Sequence, residues 1–87
     1  MKVFMVERSL KGISMDDLAG AQKRAISTAD EMSRAGTPMR YIRSTFAPDS
    51  GRCMCLFEAE DAEQVKTLNR KANIPFDGVV PALDLTP

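Results

Sequence analysis

The sequence contains no histidine among its 87 residues, and this absence removes the side chain most often used in several kinds of site. Imidazole is the commonest general base of enzymes and a common metal ligand. The chain also has no glycine-rich phosphate loop, no nucleophilic-serine motif and no paired carboxylates at a catalytic spacing. The residues therefore favour a binding protein over an enzyme, and they predict no metal and no cofactor.

Net charge is the second property that the sequence lacks. Twelve basic residues balance twelve acidic residues, so no overall field attracts nucleic acid or an anionic membrane. The apolar runs are too short to cross a bilayer, and no signal-peptide pattern precedes the first predicted strand. We therefore expect one domain, residues 1–87, in the cytoplasm, with neither nucleic acid nor a membrane as a partner.

What the sequence does contain is an alternation of strand and helix patterns. The predicted strands are Lys2 to Arg8, Arg40 to Ala47, Arg52 to Ala59 and Val79 to Leu85. The predicted helices begin after the capping residues Ser14 and Asp61 and end before Gly36 and Asn73. This βαββαβ order predicts a ferredoxin-like α+β fold, in which two helices cover one face of a four-stranded antiparallel sheet. Pro81 then lies on an edge strand, as a proline in a sheet requires.

The alternation of side chains along a strand divides the predicted sheet into two faces. The even-numbered positions are almost wholly apolar, and we expect the helices to cover them: Phe4, Val6, Ile42, Phe46, Met54 and Leu56. The odd-numbered positions are mixed: Val3, Met5, Glu7, Tyr41, Arg43, Thr45, Cys53, Cys55 and Phe57. They are still too apolar for water, so we predict a homodimer, a dimeric α/β barrel, in which two copies stack these faces around a cavity. A groove on a monomer, or a different partner, is the alternative.

Two cysteines, Cys53 and Cys55, share the odd-numbered face of the third strand. Their side chains run parallel, and Cα atoms about 6.6 to 6.8 Å apart stand at the limit for a disulfide, so we expect free thiols. Two thiolates are half of a tetrahedral metal site, and Cu(I) would also accept them. Free cysteine is more often a small buried apolar residue. We therefore favour a role in the core over a metal site.

Arg43 is the first candidate for contact with a ligand on the odd-numbered face. Its guanidinium group matches a carboxylate or phosphate, and Tyr41 would offer a hydroxyl to the same cavity. Glu7 and Cys55 complete the predicted ligand-binding set. The alternative is that Glu7 and Arg43 form a structural ion pair at the end of the sheet. The predicted ligand is a small anion.

Four segments of the sequence resemble a known family when they are taken together and in order. They are FMVERSLKG near the start, YIRSTF, CMCLFEAEDAEQV, and ANIPFDGVV near the end. In these segments the chain is similar to a family of small bacterial ferredoxin-like proteins, a domain of unknown function with a nickel-binding member. The resemblance implies a homodimeric ferredoxin-like protein that binds a small ligand or a metal. The alternative is a cofactor-free enzyme of the dimeric α/β-barrel type.

The resemblance also carries over to single residues. Glu7 and Arg8 match the acidic–basic pair of the family, Tyr41 its aromatic residue, Ser44 its serine, and Cys55 its cysteine. Arg43 and Leu68 stand where relatives can have histidine. Those imidazoles are the natural nickel ligands, so we do not expect nickel binding to transfer to this chain.

Overall fold

The computed structural model describes residues 1–87 and has the predicted order of elements. These are β1 (Lys2–Ser9), α1 (Met15–Arg34), β2 (Arg40–Ala47), β3 (Arg52–Ala59), α2 (Ala62–Lys71) and β4 (Gly78–Ala82). The strands form one antiparallel sheet in the order β2-β3-β1-β4, and this arrangement confirms the ferredoxin-like α+β fold. Strand β4 ends at Ala82, whereas the sequence predicted an end at Leu85. No helix has the length and apolar character needed to span a membrane.

Local contacts explain where the elements begin. Each helix starts at a side-chain cap, as predicted: Ser14 Oγ accepts the Asp17 N–H at 3.0 Å, and Asp61 Oδ1 accepts the Gln64 N–H at 2.9 Å. The turn between β2 and β3 needs a glycine at position 51 for two reasons. Its φ is +79°, and a Cβ there would lie 2.3 Å from the backbone of Lys11.

The register of the central strands corrects the predicted faces. Strand β1 pairs with β3 so that Phe4 lies opposite Phe57 and Val6 opposite Cys55. Even-numbered side chains of β1 therefore share a face with odd-numbered side chains of β3, because opposite residues in a pair of strands point to the same side. The predicted assignment of Cys53, Cys55 and Phe57 to the uncovered face is wrong, since all three are buried beneath the helices.

A β-bulge corrects the face of Tyr41. Tyr41 pairs with Phe57 and Arg43 pairs with Leu56, so Ile42 is an extra residue without a partner on β3. The bulge places Tyr41 and Ser44 on the same face, although they are three positions apart. The prediction that Tyr41 lies on the uncovered face is therefore wrong, because its side chain lies on the helix side.

We name the two faces of the sheet by what covers them. The helix-side face consists of Phe4, Val6, Arg8, Tyr41, Ser44, Phe46, Cys53, Cys55, Phe57 and Ala59. The open face consists of Val3, Met5, Glu7, Arg40, Arg43, Thr45, Met54, Leu56, Glu58, Val80 and Ala82. The segment after β4 reaches back over the open face, because Asp84 contacts Arg43 on the opposite edge strand at 2.9 Å.

Candidate functional site

A cavity of about 160 Å³ lies between α1 and the helix-side face. Nine of its twelve lining residues are apolar. The cavity exists because small side chains meet there: Ala21 and Ala25 of α1 stand opposite Ser44, Cys53 and Cys55. These residues are too small to fill the space between the layers. We call it the Arg8 cavity, after the charged residue in its wall.

Arg8 is buried, with only 4% of its surface exposed. Its Nε donates a hydrogen bond to Cys55 Sγ at 3.4 Å, and its Nη1 donates to the Pro75 carbonyl oxygen at 3.1 Å. Its third nitrogen, Nη2, makes no hydrogen bond within the protein. Asn69 Oδ1 is the only fully buried side-chain nitrogen or oxygen without a partner, so Nη2 must keep some access to the cavity or to solvent.

No carboxylate compensates the charge of Arg8. The four ion pairs of the protein lie elsewhere: Arg40–Glu58, Arg43–Asp84, Lys66–Glu63 and Arg70–Glu63. A buried charge without a counter-ion costs several kcal/mol, of the order of the loss seen when one partner of a buried pair is removed. The cavity therefore presents an uncompensated positive charge beside an apolar wall, and this combination favours a small organic anion.

A chain of hydrogen bonds runs along one side of the cavity. Gln22 Nε2 donates to the Tyr41 hydroxyl at 3.0 Å, and Ser44 Oγ donates to Cys55 Sγ at 2.9 Å. Ser44 has a single hydroxyl proton, so Tyr41 is the donor in the 2.6 Å bond between the two hydroxyls. Gln22 and Ser44 are exposed on their outer sides and mark the mouth of the cavity.

The two cysteines are core residues, as predicted, and both also line the cavity. Their sulfur atoms are 3.9 Å apart, and both thiols are free. Burial and the neighbouring Cys55 sulfur raise the pKa of the Cys53 thiol to about 11, and the Arg8 guanidinium opposes this shift in part. Cys53 is therefore a neutral thiol at neutral pH.

The structure brings together only two of the four predicted site residues. Tyr41 and Cys55 line the Arg8 cavity, whereas Glu7 and Arg43 lie on the open face. The predicted shared site is therefore wrong, and so is the alternative ion pair, because Arg43 bonds to Asp84 and not to Glu7. The physical reason is the register of β1 and β3 together with the bulge at Ile42. Whether Glu7, Tyr41, Arg43 or Cys55 binds a ligand stays a prediction.

Sequence reasoning missed Arg8 as a site residue, although a signal for it was present. Arg8 continues the even-numbered series of Phe4 and Val6, which faces the helices. A charged residue in such a series has to be buried or has to end the strand. Gln22 also lies in an apolar series, four residues after Leu18 and three before Ala25, but a polar residue on a helix is most often solvated.

The metal-ligating side chains of the chain are dispersed. No group of three or more cysteine, aspartate or glutamate side chains lies close enough to hold a metal ion. The two cysteines are the only sulfur-containing residues that line the cavity, and no carboxylate lines it.

Comparisons with known proteins agree with the fold. A family model described as "Nickel responsive protein SCO4226-like" matches residues 4–81. The crystal structure of SCO4226 from Streptomyces coelicolor A3(2) is similar, with a TM-score of 0.78 and 23% sequence identity. The match covers 98% of this chain and 99% of that chain. A search of the curated proteins gives no match.

Proposed function

We propose that this chain, which belongs to the SCO4226-like family of nickel responsive proteins, is a homodimeric protein that binds a small organic anion in the Arg8 cavity. One observation carries the proposal: a guanidinium group with 4% exposure and no carboxylate partner lines a largely apolar cavity. A ligand with one anionic group and a short apolar part would satisfy both features. We place this protein in the cytoplasm, as predicted from its sequence.

The family description raises the question whether nickel is the ligand. Nickel(II) prefers imidazole among protein side chains, and this chain has no histidine. No cluster of three or more ligating side chains replaces it. The residues of this chain do not fit a nickel site, so we derive no function through nickel.

Calorimetric titration with butanoate and its uncharged analogue butanamide tests the proposal. The two probes have nearly the same size, so a difference in their affinities reports the charge. We expect butanoate to bind at least about tenfold more tightly, since a hydrogen bond to a charged group contributes about 1.5–3 kcal/mol. Arg8→Met should abolish this preference, and Arg8→Lys should restore only part of it, because lysine lacks the planar fork. Arg43→Met is the matched control. Equal affinities of wild-type protein for the two probes would contradict the proposal.

The homodimer is supported by apolar surface that the helices leave uncovered. The open face contains partly buried Val3, Met5, Met54 and Leu56, and the segment after β4 adds Leu83 and Leu85 with 80% and 85% exposure. Contiguous apolar surface of this kind is typical of an interface. A second copy of the chain, stacked on the open face and on the segment that crosses it, would bury this surface.

Light scattering at micromolar concentration tests the dimer. We expect about twice the chain mass of 9.6 kDa. Met5→Asp should give monomers, because burial of an unpaired carboxylate in an interface is costly. Ile26→Asp, at an exposed position of α1, is the matched control and should leave the mass unchanged. A wild-type protein that stays monomeric at high concentration would contradict the dimer.

A further inference from the structure

The two cysteines of the Arg8 cavity are arranged as a pair of ligands. Cys53 and Cys55 occupy neighbouring positions on the same face of β3, and their sulfur atoms are 3.9 Å apart. With metal–sulfur bonds of about 2.3 Å, this separation corresponds to a sulfur–metal–sulfur angle of about 115°. One metal ion can therefore bridge the two sulfurs at this angle. The linear arrangement of a two-coordinate ion needs sulfurs about 4.6 Å apart, which requires a rotation of the cysteine side chains but no movement of the strand.

The set of donor atoms restricts which metal fits. Zinc requires four protein ligands in a structural site, and nickel prefers imidazole. The cavity supplies two sulfurs and no histidine or carboxylate. Cu(I) is a soft ion that selects thiolates and accepts a low coordination number. Two sulfurs are therefore sufficient for Cu(I) and insufficient for the other two ions.

Charge balance supports the same ion. When Cu(I) binds, each thiol releases one proton, and two thiolates with one Cu⁺ carry a net charge of −1. Arg8 Nε lies 3.4 Å from Cys55 Sγ, so the compensating positive charge is already in place. Arg8 has no carboxylate partner that would compete for it. A Cu(I) dithiolate would thus be the missing counter-ion of a buried guanidinium.

We propose that Cys53 and Cys55 form a binding site for one Cu(I) ion per chain, with the Arg8 guanidinium as its counter-charge. This inference does not rest on the proposed carboxylate ligand, because the metal alone is the probe. If butanoate fails to bind, the copper site can still hold, and the reverse is also true.

Anaerobic titration of reduced, tag-free protein with Cu(I), in competition with the chelator bicinchoninate, tests this site. We expect one Cu(I) per chain and an ultraviolet thiolate-to-copper charge-transfer band. Cys53→Ala and Cys55→Ala should each weaken binding at least 100-fold. Arg8→Met should weaken it about tenfold at the same stoichiometry. Met54→Ala is the matched control, because Met54 lies between the cysteines but on the open face.

A second measurement on wild-type protein covers the case that a cysteine variant does not fold. The number of cysteines that react with N-ethylmaleimide as the protein unfolds is counted by mass spectrometry. Bound Cu(I) should protect both cysteines from this reaction, whereas Ni(II) and Zn(II) should not. The proposal is overturned if no saturable Cu(I) binding occurs or if the double alanine variant binds equally well. A stoichiometry of one Cu(I) per two chains, or tighter binding of Zn(II) in direct competition, would also overturn it.

Discussion

The two faces of the sheet treat an arginine in opposite ways. Arg43 on the open face pairs with Asp84, and its side chain keeps 56% of its exposure. Arg8 on the helix-side face has 4% exposure and no carboxylate. The exposed pair contributes at most about 1 kcal/mol, whereas a buried charge without a counter-ion costs several kcal/mol. Burial of the Arg8 charge lowers stability, so a ligand explains this residue better than a structural role does. This contrast favours a candidate site beneath the helices.

The largest expected effect concerns packing on the two faces. Phe57 has no exposed surface, and its neighbour Leu56 lies partly exposed on the open face. Phe57→Ala should lower the free energy of unfolding by about 3–5 kcal/mol through the lost contacts and the cavity. Leu56→Ala should cost about 1 kcal/mol in the monomer.

Denaturation with urea at a concentration where the protein is monomeric measures both changes. Equal losses for the two variants would show that the open face is packed as tightly as the helix-side face. A loss at Leu56 that grows with protein concentration would assign the open face to the dimer interface.

The next effect is the pH dependence of the buried thiol. The pKa of Cys53 is raised from 9.0 to about 11 in the folded protein. The folded state therefore binds more protons than the unfolded state between these values. The contribution of the protonated Cys53 thiol to stability is fully present below pH 9 and is lost as the pH rises toward 11. Urea denaturation at pH 8 and pH 11 should show a larger loss in the free energy of unfolding for wild-type protein than for Cys53→Ala. Equal losses for the two proteins would contradict a raised pKa of the buried thiol.

A smaller effect is expected when each arginine is replaced by methionine. Arg8→Met should raise the free energy of unfolding by about 1 kcal/mol, because the removed desolvation cost exceeds the two lost hydrogen bonds. Arg43→Met should change it by less than about 0.5 kcal/mol. Urea denaturation without any ligand measures both. A loss of several kcal/mol for Arg8→Met would give Arg8 a structural role and remove the basis of the site.

The smallest expected effect is that of nickel. Calorimetric titration of tag-free protein with Ni(II) at neutral pH should show no saturable binding at submicromolar affinity, because no histidine and no cluster of ligands is present. A tag of histidines would bind nickel by itself and has to be removed. A stoichiometric, tight isotherm would show that carboxylates or thiolates of two copies combine into a site.

The sequence was sufficient for the fold because its signals are local. The side-chain caps at Ser14 and Asp61, the turn at Gly51 and the edge position of Pro81 depend on neighbours along the chain or on topology alone. The faces of the strands depend on register, which is a relation between distant segments. A shift by one residue moves every side chain to the other face.

The dependence on register also explains why only some residues of the candidate cavity could be predicted. Tyr41 and Cys55 were predicted as members of the site, and both line the cavity, but the prediction placed them beside Glu7 and Arg43. Their actual neighbours, Arg8 and Ser44, follow from the pairing of β1 with β3 and from the bulge at Ile42. A bulge has no strong signal in a strand that lacks glycine, so the sequence could not indicate it.

The most direct test of anion binding at Arg8 compares Arg8 and Arg43 in one NMR spectrum. The Nε–H groups of arginine give separate signals in a ¹H–¹⁵N correlation spectrum of labelled protein, and Arg8→Lys and Arg43→Lys assign them. On titration with butanoate, the Arg8 signal should shift in a saturable manner, and the Arg43 signal should stay in place. Butanamide should move neither. A saturable shift at Arg43 with none at Arg8 would contradict the account and place the anion site on the open face.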